Sequence, residues 1–401
     1  MRIARLMPVF AAAGIVLLAL VSRFMLFDFE SRDYRAFVAQ WYDFIDANGG
    51  FAALRYQFAN YNVPYLYLLA ILTYLPVPVL TGVKLISVLF DVMLAFFTYK
   101  IVALRHPGRW IPLLAAAVVS LLPTVVVNGA MWAQCDSIYA AFALGGVYYA
   151  VRSRPWPAAV FFGVALAFKV QAVFLLPLLL VLVVKRKMPW PALLVVPGMV
   201  LLLDGPALLA GADPGALLSI YTDQVEQYSE LTLNAPNLYQ FFAGSDAVST
   251  GADAIRTAGI VFTGVLVVVL VLLTVVTRVA LTVSRVVLLS AVFVILVPFF
   301  LPAMHERYFY LADVLSVIAA FYVPRRLWPL PVLVQFASFF SYVPFLLGDR
   351  SALAMDLGFP AAAMSAALVL VVLGLVLSLR ADRQVGEVPR AGVGAPLGRA
   401  G

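Results

Sequence analysis

The sequence is short of the residues from which most soluble enzymes build their sites. It has one cysteine, Cys135, and two histidines, His106 and His305, in 401 residues. One cysteine excludes a disulfide framework and a cysteine-rich metal centre, and two histidines leave no His-rich one. Charge is scarce as well. Only 12% of residues are Asp, Glu, Lys or Arg, against about 25% in soluble domains. So little charge cannot cover a water-soluble chain of this size, which excludes a cytosolic enzyme, a secreted domain and a disordered chain. What is present instead is apolar: 64% of the chain is hydrophobic, in runs such as 260–276 and 286–301. Each run is near the ~20 residues that cross a bilayer as a helix, and the short alternating segments of a membrane β-barrel are absent. The expected fold class is all-α: a polytopic integral membrane protein with about 12–13 membrane segments.

A net charge of +7 raises the question of nucleic acid, but the basic residues lie where a membrane protein puts them. Most of the 27 lysines and arginines fall in short connections or at the ends: Arg2/Arg5, Arg105/Arg109, Arg152/Arg154, Lys185–Lys187, Arg278/Arg285, Arg325/Arg326, and the tail from Arg380. The acids concentrate in residues 28–63 and 204–257. Short basic connections mark the cytoplasmic side, so both termini are expected there, with two long outer loops carrying interfacial helices on the opposite face. No nucleic-acid partner is expected. Working spans are 7–27, 64–80, 83–103, 111–129, 137–151, 156–168, 171–184, 189–205, 258–277, 286–302, 309–323, 328–347 and 359–379. The first reads as an uncleaved span, since it is too long for a signal-peptide core. An odd number of spans cannot return the chain to its starting side, so residues 64–80, rich in proline, are expected to be a half-helix or a dip. The expected organisation is 1–205 as an N-terminal module including outer loop 28–63, then outer loop 206–257. Helices follow over 258–380, and then a disordered tail, 381–401.

Ionisable groups in so apolar a chain are expensive and mark function. Five clusters stand out, all toward the outer side. In the first outer loop, Tyr34, Phe37, Trp41, Phe44 and Ile45 share one face of an interfacial helix. Asp33 at its start is either a helix cap or a general base at the membrane surface. Asn60 to Tyr67 reads as an extended turn into a membrane segment. Gln134, Asp136 and Ser137 sit between two spans near Trp132, as a cap or as a polar pocket. Lys169, with Gln171, interrupts an apolar stretch; it either snorkels or pairs with a phosphate or Asp136. His305, Glu306, Arg307 and Tyr308 form the fifth cluster: arginine offers a fork for phosphate oxygens and histidine can shuttle a proton. The long outer loop adds Asn234, Asn237, Tyr239 and Gln240, which suit a sugar or headgroup or else cap the loop.

These elements in this order resemble the GT-C glycosyltransferases, and most nearly bacterial mannosyltransferases related to the PIG-V type of GPI-anchor assembly. The elements are an aspartate in the first outer loop, Trp132-x-Gln134-x-Asp136, Lys169-x-Gln171, Asn234-x-Pro236-Asn237-x-Tyr239, and His305-Glu306-Arg307-Tyr308. Ala133 departs from the pattern, which carries Gly there. The resemblance implies a GT-C fold whose N-terminal helices are common to the superfamily. It implies a hexose, by likeness mannose, moved from a polyprenyl-phosphate donor to a glycan, glycolipid or protein acceptor of the cell envelope. Transfer would invert the sugar on the extracytoplasmic face of a bacterial cytoplasmic membrane, with no cofactor expected. Asp33 would be the catalytic base, with Asp28, Asp43 and Asp136 as weaker candidates. His305, Arg307 and Lys169 would hold the donor phosphate. Tyr34, Gln134, Asp136, Gln171, Asn234, Asn237, Tyr239, Gln240, Glu306 and Tyr308 would bind substrate. A lipid-linked-sugar flippase or transporter is the alternative, but it would show paired halves, which the sequence lacks. Residues 204–257 contain too little arginine for an O-antigen ligase.

Overall fold

The structure, a computed structural model, describes residues 2–226, 230–243, 246–277 and 280–386. In chain order its helices are α1 (Arg2–Phe24), α2 (Ala39–Ala47), α3 (Val63–Leu72), α4 (Val79–Ala103), α5 (Trp110–Leu121), α6 (Pro123–Val126), α7 (Asp136–Val151), α8 (Pro155–Phe168) and α9 (Pro177–Val184). They continue as α10 (Val195–Ala210), α11 (Pro214–Glu226), α12 (Asp246–Val276), α13 (Val283–Phe300), α14 (Tyr310–Tyr322), α15 (Pro324–Leu327), α16 (Pro329–Leu347) and α17 (Gly358–Gly386). The only strands among the described residues are β1 (Thr232–Leu233) and β2 (Met304–His305). The chain is thus an all-α polytopic membrane protein. Among the described residues six helices are long and apolar enough to cross a membrane, and α5 with residues 123–131 adds a seventh if that pair, bent by 53°, counts as one span. Shorter apolar helices, Ala13–Phe24, Val63–Leu72, Pro155–Phe168 and Val170–Val184, complete most of the expected runs.

Burial explains the arrangement. α13 is 83% buried over its apolar window, against 22–39% for the other long helices. A helix that is apolar all round belongs in the middle, and Val286 to Val297 pack there against α7, α14 and α17. Small residues let neighbours close in. A Cβ on Gly163 of α8 would lie 2.6 Å from Met199 Cβ and 2.9 Å from the Val196 carbonyl on α10.

The bundle has two chemically distinct ends. At one, Tyr322 Oη donates to the Ile101 carbonyl at 2.7 Å, His106 Nε2 lies 2.9 Å from the Phe321 carbonyl, and Arg285 Nη2 donates to the Ser378 carbonyl at 2.6 Å. These contacts gather the basic connections together. The start of α7, the end of α8, the α13–α14 junction and the end of α16 meet at the other end, beneath the two long loops. α3 is ten residues long. Tyr65 near its start faces that second end, and Tyr74 just beyond it stacks on Phe51 of the first long loop at 6.1 Å. Both ends of α3 therefore lie against the first long loop. α17 carries the helix to Gly386, past the expected start of the tail. The rest of that tail, 387–401, lies outside the described residues.

Lys84 and Asp91, two turns apart on α4, serve the frame separately. Lys84 Nζ donates to the carbonyls of Leu26, Phe27 and Phe29 at 3.0, 2.7 and 2.7 Å, closing the end of α1. Asp91 Oδ2 takes Arg23 Nε and Nη2 at 2.9 and 2.8 Å.

Candidate active site

Three local breaks in helical geometry build the site. In the first outer loop, Ser31 caps the helix: its Oγ accepts from the Tyr34 amide at 3.1 Å and donates to the Trp132 carbonyl at 2.7 Å. Asp33 already has helical backbone angles and makes no capping bond, so its carboxylate is not spent as a cap. Residues 34–38 form a π-helical turn before α2. The extra residue in that turn changes the buried face to Tyr34, Val38, Trp41 and Ile45, and Phe37, expected on it, is 36% exposed.

The second break follows Pro123, which bends α5 into α6. After a π turn over Val127–Met131 the chain leaves helix, and Ala133 has φ +64°. That left-handed region suits glycine and costs other L-residues roughly 1–2 kcal/mol, a physical reason for the glycine expected at this place. The turn brings Trp132 and Gln134 to one wall and starts α7 at Asp136. The third break is Lys169, whose extended backbone (φ −158°, ψ 131°) ends α8 and turns its side chain inward. The fourth piece, 304–308, is held by a parallel pairing of Thr232 with Met304 and Leu233 with His305, and by the Ala303 amide on the Leu231 carbonyl at 2.9 Å.

The charged groups converge. Asp33 Oδ2 accepts from Gln134 Nε2 at 2.7 Å, Trp132 Nε1 at 3.1 Å and Arg307 Nη1 at 3.1 Å. Its Oδ1 makes no hydrogen bond among the described residues. Arg307 lies 5.7 Å from the Trp132 ring centroid, 3.9 Å from Asp136 Oδ2 through Nε and 3.9 Å from Glu306 Oε1 through Nη1. Burial opposes its charge, but Asp33, Asp136 and Glu306 outweigh burial and hold the guanidinium proton more tightly than usual. Asp136, fully buried, takes Lys169 Nζ at 2.5 Å and Asn128 Nδ2 at 2.8 Å. Glu306 Oε2 lies 3.8 Å from His305 Nδ1. Tyr61 Oη and Cys135 Sγ are 2.9 Å apart. Burial pushes both the Tyr61 phenol and the Cys135 thiol up, keeping them neutral.

All of these groups except Trp132, Asn128 and Asp136 line a cavity of about 480 Å³. Of the residues expected in the site, Asp33, Gln134, Lys169, Gln171, Asn234, His305, Glu306, Arg307 and Tyr308 line it. Asp136 lies behind the wall, where it orients Lys169. Tyr34 is in the apolar core of the outer loop. Asn237, Tyr239 and Gln240 instead fasten the long loop. Asn237 Nδ2 donates to the Leu301 carbonyl at 3.5 Å, Tyr239 Oη to the Phe300 carbonyl at 2.8 Å, and Gln240 Oε1 accepts from Thr232 Oγ1 at 3.4 Å. Asp28 and Asp43 are exposed and away from the cavity. The sequence had not assigned an aromatic wall to the site. Phe37, Trp41, Tyr61 and Tyr65 follow one another at ring-centroid spacings of 5.9, 5.5 and 5.1 Å. Trp41 sits in a segment read as an interfacial helix and Tyr61 in one read as an extended turn, a signal present but not assigned to the site. Gln224, Glu230 and Phe345 also line the cavity, and nothing local in the sequence marks them. Among the described residues no group of three or more His, Cys, Asp or Glu side chains is placed to hold a metal.

The fold is a membrane-embedded helical bundle with carboxylates and cations facing one cavity under two long loops. Residues 58–302, more than half of the chain, match Glycosyltransferase family 87, and the chain belongs to that family, which is of the GT-C type. The matched stretch contains Gln134, Asp136, Lys169 and Asn234; Asp33 and residues 305–307 lie outside it. No curated protein matches the chain.

Proposed function

We propose that the protein transfers a hexose, mannose in our reading, from a polyprenyl-phosphate donor to an acceptor hydroxyl at the extracytoplasmic face, as mannosyltransferases of the PIG-V type do. The observation that carries this reading is the hydrogen bond between Asp33 and Arg307, 274 residues apart in sequence, on the wall of one cavity. It puts a base and a cation beside one another, as required at the two ends of a bond being exchanged.

The acceptor hydroxyl is a poor nucleophile. Asp33 Oδ1, free of other bonds, takes its proton as the oxygen attacks the anomeric carbon. The bond from that carbon to the phosphate oxygen breaks, and its electron pair leaves on the lipid phosphate. Trp132 and Gln134 hold the other carboxylate oxygen, fixing the direction of approach. Arg307 bonds to Asp33; the incoming phosphate replaces Asp33 as the guanidinium's partner. His305 and Lys169, both on the cavity wall, offer hydrogen-bond donors where the leaving group gains negative charge. Attack opposite the leaving group inverts the centre.

The test is transfer by the purified full-length protein in detergent, using a labelled polyprenyl-phosphate hexose and a panel of acceptors, alongside flipping of the same donor in liposomes. Labelled product supports the reading, and flipping without transfer removes it. Arg307→Ala is expected to weaken donor binding at least tenfold while acceptor binding holds; equal losses undo the phosphate assignment.

A further inference from the structure

Phe345 lines the cavity, yet the proposed chemistry gives it no work. It lies in the last turn of α16, outside the stretch that matches the family. We infer that Phe345 is a positioning residue: its ring fixes the indole of Trp132, and the indole in turn aims the Asp33 carboxylate. The inference rests on the transferase reading and adds to it a residue that acts on the base through another side chain.

Asp33 Oδ2 has three donors, and they are held in different ways. Gln134 is fastened through its backbone: its amide donates to the Asn128 carbonyl at 3.0 Å, and its carbonyl accepts from Ser87 Oγ at 2.6 Å. Arg307 is the donor that the phosphate draws away in the proposed reaction. The third donor, Trp132 Nε1 at 3.1 Å, depends on where its ring points. The Trp132 backbone is tied at both ends, its amide to the Val127 carbonyl at 2.8 Å and its carbonyl to Ser31 Oγ at 2.7 Å. Neither bond sets the side-chain torsions, so the ring is aimed by what packs on it.

Three groups do so. Arg307 lies 5.7 Å from the Trp132 ring centroid. Tyr342 meets the indole edge-on, at 5.1 Å and 75°, and Phe345 stacks on it at 5.1 Å and 26°. Edge-on and stacked contacts are the two arrangements that aromatic pairs prefer, and together they define the plane of the indole. Tyr342 and Phe345 are three residues apart on α16, so one helix face presents both rings. Once Arg307 turns to the phosphate, these two rings are what keep Trp132 in place. Tyr342 is 1% exposed and belongs to the core. Phe345 is only partly buried, and it can be changed without opening the core. A ring on a cavity wall could instead stack on a sugar; that role would show in KM, whereas positioning of the base shows in kcat.

Two measurements on the full-length protein in detergent test this. The first needs no turnover: hydrogen exchange of the six tryptophan indole protons is followed by NMR, with the Trp132 signal identified by its loss in Trp132→Phe. In Phe345→Leu the Trp132 proton is expected to exchange about tenfold faster while the other five keep their rates, and Phe345→Tyr should restore the protection. The second is transfer of labelled hexose. Phe345→Leu should lower kcat about tenfold with KM for donor and acceptor unchanged, and Phe345→Tyr should recover most of the rate. Unchanged exchange at Trp132 in Phe345→Leu, faster exchange at all six indoles, or a raised KM at unchanged kcat overturns the positioning role. Absence of transfer by the unaltered protein, with the exchange pattern as expected, would instead count against the transferase reading alone.

Discussion

Asp33 and Asp136 are both acids at the start of a helix, yet their surroundings give them different work. Asp33 keeps one oxygen open to the cavity. Asp136 is fully buried behind it and neutralises Lys169. Removing one partner of a buried pair leaves the other charge stranded, at about 3–5 kcal/mol. Asp136→Ala is therefore expected to lower the thermal unfolding midpoint in detergent by many degrees, and the double variant with Lys169→Met to recover much of it. An unchanged midpoint in the single variant would show that the pair is not buried as described. Ala133 supplies a milder test. With φ +64°, Ala133→Gly relieves roughly 1–2 kcal/mol of strain, offset by the roughly 0.5–1 kcal/mol that glycine costs in lost freedom. The expected result is a small gain in melting temperature with full activity, and a clear loss for Ala133→Val.

The helices were legible because apolar runs in a charge-poor chain have few other ways to fold. Their breaks were less so. Lys169 within an apolar stretch announced a break, but the π turn at residues 34–38 did not, and it moved Phe37 off the buried face in favour of Val38. The spacing of apolar residues assumes 3.6 residues per turn, and a turn that holds one more residue escapes it. The same limit applies to Asn237, Tyr239 and Gln240. Amides and a ring in an outer loop fit a sugar site and a loop fastening equally well, and only the carbonyls of Phe300 and Leu301 decide between them. At this scale the packing of α8 on α10 is open to test. Gly163→Leu drives a side chain into Met199 and the Val196 carbonyl, and overpacking costs about 1–3 kcal/mol or more. Yield and melting temperature should both fall, whereas Gly108→Ala, with nothing within 4 Å of an added Cβ, should be silent.

Across the whole molecule, charge sorts itself by end: basic connections gather at one, and the cavity with its acids at the other. That separation was readable from the sequence, since loop charge follows the side of the membrane. The meeting of Asp33 with Arg307, and the arrival of Phe345 and Gln224 at the same cavity, depend on long-range packing that no local motif encodes. Loop charge predicts the orientation. In a chain whose Cys135 is replaced by serine, a cysteine placed at Gly108 is expected to react with an impermeant thiol reagent only in inside-out vesicles. One placed at Gln57 should react only in right-side-out vesicles, and the reverse labelling would put the cavity in the cytoplasm. The account as a whole turns on Asp33 as the group that takes the acceptor's proton. The most direct measurement is the single-turnover rate of hexose transfer by Asp33→Asn against the unaltered protein, with folding checked by melting temperature. The expected result is a loss of about 10²–10⁴-fold at an unchanged melting temperature; transfer at the unaltered rate would contradict it.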